Sequence, residues 1–396
     1  MKALVYSSST GLLEYKADWP SPLSSTTSAN ARLSDGSGIR EYPSSSSRYQ
    51  AVLKMLRVAI CNTDIEITRG YVEGYESILG HEGVGRIVEI VDTVSGERLE
   101  SHPMLGARVV VEINCPCDDA CNAVECVPST VSASGMSKVY LRNHAPSRTV
   151  IGIINRDGLM AEYCKVPLDN CHPVRDDISD AEAAFCEPLA AAYRIVEQAL
   201  VNPDQGHEKV AVVGDGKLGL LIAHVLGSVG CSVVFFGKHE NKMMLVKGVQ
   251  ERVVVSDTND YAITSYHGSF DVVVEASGHP SGILMSAALC RPLGRVILKS
   301  TCAIDTSIDM PAWSAIANDI VVNEKVLIGS RCGPMEKGLE LLEQKSTKDL
   351  VNTMVDAVFP IEEGLEAFEA ASKRGSLKIQ MSLDSPTSGD PHPSGS

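Results

Sequence analysis

Between Cys61 and Gly85 the chain reads CNTDIEITRGYVEGYESILGHEGVG, a glycine-punctuated stretch that brings a thiol, a hydroxyl, carboxylates and an imidazole close together in sequence. Cys61 and His81 are ligand types that suit zinc. Asp64 can hold a ligand in place from behind, and Glu82 stands where its carboxylate can reach the same ion. Thr63 adds a hydroxyl for proton transfer. Taken alone, Cys61 and His81 read as a buried cysteine and a histidine satisfied in a turn; their neighbours move the reading to a catalytic metal centre.

Further along, FCEPLAAAYRIVEQ reads as a helix over 185–198 entered at Pro188, since proline is tolerated in a first turn and the alanines that follow favour helix. Glu187 therefore sits at a helix start, where a carboxylate complements the helix dipole. As a third ligand it would make a Cys, His, Glu zinc site with an open position. Cys115, Cys117, Cys121 and Cys126 form a second cluster. Four thiolates would close a structural zinc site, but their gaps of one, three and four residues are irregular, and free thiols in a loop account for them as well.

The metal residues need strands to present them. A strand over 51–60 (AVLKMLRVAI) ends at Cys61, another over 86–91 follows the HEGVG turn, and a third over 107–113 runs into the cysteine cluster. A second constellation begins at KVAVVGDGKLG, an apolar strand entering a helix through a dinucleotide fingerprint. Gly214 makes the tight turn, Gly216 lets the backbone approach a pyrophosphate, and Gly219 allows close helix packing; Lys217 and Leu218 lie between them. The next strand, SVVFFG, ends at Gly237, Lys238 and His239, where an NAD enzyme usually places an acid. The space and positive charge there favour NADP, with NAD still compatible because no paired arginine is present.

At 396 residues the chain exceeds the usual size of one hydrophobic core, so two domains are expected. Hydrophobic residues at 44% and charged residues at 21% are ordinary for a globular protein. A net charge of −15 argues against nucleic acid or an anionic membrane as partner. No stretch approaches the roughly 20 apolar residues of a membrane span, and the expected compartment is the cytoplasm. There the 12 cysteines are better read as thiols or metal ligands than as disulfides. Serine-rich segments at 20–47 and 127–142 read as flexible insertions, and 384–396 as a disordered tail.

Taken together, ICNTD, GHEGVG, the CEPLA helix, VVGDGKLGL, DVVVEASG and GSRCGP resemble the zinc-dependent medium-chain alcohol dehydrogenase superfamily, including its sorbitol- and glucose-dehydrogenase-like branches. The resemblance implies an α/β protein: a GroES-like β-rich catalytic domain from residues 1–187 and 330–383, and a doubly wound Rossmann domain over 188–329. It assigns Cys61, His81 and Glu187 as catalytic zinc ligands, Glu82 as the nearby glutamate, Thr63 as the relay hydroxyl and Asp64 as the acid behind the ligands. The spacing of the four clustered cysteines, and Ala145 where relatives carry a cysteine, depart from the family pattern.

The implied activity is reversible hydride transfer between an alcohol, polyol or sugar and NADP or NAD. The rivals are a metal-independent NADPH reductase of activated double bonds or quinones, and a nucleotide-binding redox sensor without turnover. The apolar segment 320–330 reads as β-prone, and in relatives the equivalent edge pairs between subunits, so a homodimer or homotetramer is expected.

Overall fold

The computed structural model describes residues 1–24, 47–115, 144, 148–203, 208–256, 261–301 and 310–384. Most of both serine-rich segments, Cys117, Cys121, Cys126 and the tail beyond Asp384 lie outside the described residues.

The first unit by internal contacts is Met1–Glu187 together with the chain from Met354 onward. Its main sheet has the order Cys171–Pro173, Arg108–Val111, Glu82–Asp92, Tyr49–Ala59, Lys378–Ser382 and Val355–Pro360, with Tyr163–Pro167 also pairing Tyr49–Ala59. The two long strands Tyr49–Ala59 and Glu82–Asp92 run antiparallel, with Ala59 opposite Glu82 and Tyr49 opposite Asp92. Continued past the strand ends, that register sets Ile60 opposite His81 and Cys61 opposite Gly80, so Cys61 and His81 are diagonal neighbours. Gly80 makes the entry to the second strand possible: its φ of +95° is strained for other residues, and a Cβ there would lie 2.6 Å from Met160 Cγ. On the other side of Tyr49–Ala59, Gln380 pairs with Ala59 and Ile60 N donates to Ile379 O, so the register continued by one step sets Lys378 level with Cys61.

The second unit is Pro188–Thr353. Six parallel strands stand in the order Glu251–Val254, Ser232–Gly237, Lys209–Val213, Phe270–Glu275, Cys290–Leu298, Val326–Gly329. This is the 3-2-1-4-5-6 order of a doubly wound nucleotide fold. One core layer packs Ala211, Val213, Val234, Phe236, Val273 and Val296. Phe236 meets Tyr266 and Phe270 edge-on at 5.5 and 5.7 Å.

Two sequence readings meet the structure here. The division by contacts falls after Thr353 rather than before 330, so the helices Met335–Leu342 and Lys345–Thr353 go with the nucleotide unit. The buried Thr347 Oγ1 lies 2.9 Å from His224 Nε2 on the fingerprint helix, and Gly333 backs so tightly onto Ala190 O that a Cβ would come within 1.8 Å. The 320–330 segment is also not one strand. Its first three residues end the helix Met310–Val322, and only Val326–Gly329 joins the sheet, as its edge.

Glu275 closes the strand beside the fingerprint strand and is 0% exposed. Its Oε1 accepts from Ser277 N at 2.7 Å and from Ser277 Oγ, whereas Oε2 has no hydrogen-bond partner among the described residues. Burial pushes this carboxyl above its usual range, and the Ser277 bonds only partly offset it. Folding therefore favours the protonated form, and the contribution to stability is full below the unfolded value of about 4.3 and is lost as pH rises through the folded value. Glu275→Gln should remove this loss, so urea midpoints of the variant should fall less than wild type between pH 4.5 and 8. Parallel midpoint curves would contradict the assignment.

Candidate functional site

Cys61 is the N-cap of the short helix Asn62–Ile67, which also carries Thr63 and Asp64. The sulfur of Cys61, a ring nitrogen of His81 and a carboxylate oxygen of Glu82 all lie within 4.8 Å of one another. Asp64, 0% exposed, ties the two ligand segments together. Its Oδ2 accepts from Cys61 N at 2.9 Å and its Oδ1 from Gly80 N at 3.1 Å. The same Oδ1 lies 3.2 Å from His81 Nδ1, at an angle short of a formed hydrogen bond. Asp64 thus turns one ring nitrogen toward itself and leaves the other for a ligand. Thr63 Oγ1 is 3.7 Å from Cys61 Sγ.

Glu187 lies in the first turn of the helix Cys186–Glu197, half-buried. It is outside the group of three whose donor atoms converge, and its charge reaches Lys378. Sequence reasoning passed over Lys378 altogether. Its ammonium donates to Glu82 Oε2 at 2.5 Å, both residues being 2% exposed, and it stands 5.6 Å from the centre of the Phe185 ring. The signal was present in a lysine on the polar positions of the alternating LKIQMSL, but its partner lies 296 residues earlier.

The electrostatics suit a bound cation. Burial pulls the His81 imidazole down, yet the Asp64 carboxylate and then the Cys61 sulfur outweigh it and hold its pKa well above the ordinary histidine value. Burial works equally against the Lys378 ammonium, and Glu82, Cys61 and Glu187 overcome it and raise its pKa. Negative groups thus gather around both cationic side chains, and the sulfur, imidazole and carboxylate donors are of the types that match zinc. The second cysteine cluster is described only at Cys115. That thiol is buried, lies 3.6 Å from Asn170 Nδ2, and is pushed up to about 11 by burial, so its surroundings favour the protonated form.

In the nucleotide unit the fingerprint forms the turn between Val213 and the helix Lys217–Ser228. Gly214 has φ +109°, and a Cβ there would lie 2.7 Å from the backbone of Ser277. Gly219 passes so close to Gly214 O that a Cβ would come within 1.8 Å, whereas Gly216, the N-cap, faces open space. Lys217 and Leu218 open the helix and are half-buried. An uncapped helix N-terminus behind an open glycine is a cradle for a pyrophosphate, so these residues fit a dinucleotide. At the end of the next strand Lys238 is exposed and His239 is turned back to Asp215. Gly237 has no room for a side chain, since a Cβ would lie 2.6 Å from Asp215 Cβ and 2.8 Å from Met243 Sδ.

Comparison with known proteins agrees with this geometry. The family described as "Glucose dehydrogenase C-terminus" matches residues 181–382, and the "Alcohol dehydrogenase GroES-like domain" matches residues 47–176. An L-threonine 3-dehydrogenase of Bacillus subtilis is 26% identical over 336 residues, covering 81% of this chain and 88% of the relative. An erythritol/L-threitol dehydrogenase of Mycolicibacterium smegmatis is 26% identical over 354 residues, covering 84% and 90%. Among solved structures, galactitol-1-phosphate dehydrogenase from Escherichia coli superposes with a TM-score of 0.70 at 19% identity, over 96% of this chain and 99% of that one. Glucose dehydrogenase from Haloferax mediterranei, in complex with NADP, Zn and gluconolactone, gives 0.66 at 19% identity over 98% and 100%. These two structures show a shared fold. With one family match spanning half of the chain and the second covering the strands beside Cys61 and His81, the chain belongs to the zinc-dependent medium-chain dehydrogenase/reductase superfamily, in its sorbitol- and glucose-dehydrogenase-like branch, and is an NAD(P)-linked alcohol dehydrogenase.

Proposed function

We propose that this dehydrogenase oxidises an alcohol, polyol or sugar reversibly, with NADP as the favoured hydride acceptor. The observation that carries the reading is the convergence of Cys61, His81 and Glu82 within 4.8 Å, with Asp64 bound behind them. Zinc, when bound, supplies Lewis acidity toward an alcohol oxygen. Cys61 and His81 hold it, with Glu82 and Glu187 as the carboxylates in reach. Asp64 orients both ligand segments, and the Thr63 hydroxyl carries the alcohol proton outward. Lys238 offers a charge-assisted hydrogen bond to a ribose 2′-phosphate.

The test is metal content of the purified protein alongside turnover with NADP and NAD on a panel of alcohols. The panel starts from secondary alcohols beside an amino or hydroxyl group, the class of L-threonine, erythritol and L-threitol, for which the two relatives are named. Activity on enones or quinones in zinc-free protein would replace this reading. Thr63→Val keeps the volume and removes the proton path, so it should slow turnover by about a hundredfold while zinc stays bound. Unchanged turnover in a step limited by chemistry would remove Thr63 from the proton path.

The dehydrogenase works as a homodimer or homotetramer. Support comes from the edge strand Val326–Gly329, whose Val326 and Leu327 are 48% and 42% exposed, and from Val321 and Val322 at 75% and 78%. An apolar edge of this kind is normally covered. Sedimentation at micromolar concentration showing monomer alone would rule this out. Among the described residues no helix is long and apolar enough to cross a membrane, and the compartment we assign is the cytoplasm.

A further inference from the structure

We propose that Asp215, the residue between the first two fingerprint glycines, is the side chain that selects between NAD and NADP, and that His239 positions it. The inference rests on the dinucleotide reading of the fingerprint and refines its cofactor preference.

In doubly wound folds the adenosine ribose lies at the end of the second strand, where an acid accepts from the 2′-hydroxyl. That strand ends here at Gly237, which leaves the acid missing from the sequence position but not from the space. The Asp215 side chain lies directly against Gly237, its Cβ and Cγ standing 2.6 and 2.9 Å from where a residue-237 Cβ would be. It is held from two sides: Oδ2 accepts from His239 N at 2.5 Å and lies 2.9 Å from His239 Nδ1. The carboxylate is 13% exposed and the imidazole 40%, so the acid is fixed in place with a limited opening to solvent. A carboxylate so placed accepts from a ribose hydroxyl and repels a 2′-phosphate, which carries close to two negative charges. Lys238, exposed on the next residue, acts in the opposite sense. The two side chains oppose each other, so the preference for NADP is held to a modest one and the enzyme takes both cofactors.

Titration of the full-length protein with NADH and with NADPH, read by nucleotide fluorescence, tests this without any turnover. Wild type should bind the two within about tenfold of each other. Asp215→Asn keeps an acceptor for His239 N and removes the charge; it should weaken NADH, strengthen NADPH and move their ratio toward NADPH by about 10- to 100-fold. Lys238→Ala should move the ratio the other way. A wild-type preference for NADPH of more than about a hundredfold, or an unchanged ratio in Asp215→Asn, overturns the assignment. If Asp215→Asn does not fold, the wild-type ratio, measured also with ADP-ribose and its 2′-phosphate, decides alone. Wild type binding neither dinucleotide would overturn the fingerprint reading and this inference with it, whereas an inactive panel of alcohols with intact nucleotide binding would bear only on the proposed substrate.

Discussion

Cys61→Ala or His81→Ala should abolish alcohol oxidation while NADPH affinity stays within about twofold of wild type. Both residues belong to the unit Met1–Glu187 with the chain from Met354, and the fingerprint belongs to the other, so loss of a metal ligand need not disturb the nucleotide cradle. A catalytic metal supplies several kcal/mol of transition-state stabilisation. At 1.36 kcal/mol per factor of ten, that corresponds to a fall in kcat/KM of about a thousandfold or more. Zinc content should fall in parallel. The most damaging result would be full activity in protein shown to be free of zinc, because no other group in the cluster offers equivalent polarisation. A milder failure, zinc retained in both variants, would leave the metal but move its ligands to Glu82 and Glu187.

The convergence of Cys61, His81 and Glu82 was legible because they sit beside the ends of two long strands. The register that sets Ala59 opposite Glu82 brings the segments holding Cys61 and His81 side by side. Glu187 was harder to place, since a helix start suits a carboxylate whether or not an ion is near. The empty acid position at Gly237 could be read from sequence, but the acid that fills its space could not. Asp215 and His239 are 24 residues apart, and only the turn of the fingerprint over the second strand joins them. Segment 320–330 misled because a short apolar run has no decisive period. Ile320, Val321 and Val322 suit a strand by propensity and end a helix in the fold, where tertiary context overrides propensity. The division by contacts after Thr353 differs from the expected boundary at 330, because the two amphipathic helices between them show an apolar face without showing which unit it covers.

Lys378→Met should destabilise the protein by about 3–5 kcal/mol, the usual cost of removing one member of a buried ion pair. The substitution keeps much of the side-chain volume against Phe185 and leaves the Glu82 carboxylate, 2% exposed, without its hydrogen-bonded cation. The double variant Lys378→Met with Glu82→Gln should recover most of that loss, because replacing both charges removes the uncompensated carboxylate. Metal separates this account from simple loss of packing. Glu82 is one of the three donors that converge on the candidate metal position, so without Lys378 a bound divalent ion would still offset its charge. Chelation should therefore cost Lys378→Met more stability than it costs wild type, read as the shift in urea midpoint with and without chelator. In the double variant that extra cost should disappear. Equal shifts in wild type and Lys378→Met would mean that Glu82 does not share its charge between the lysine and the metal, and that the buried pair acts only to close the strand Lys378–Ser382 onto Glu82–Asp92 across Tyr49–Ala59.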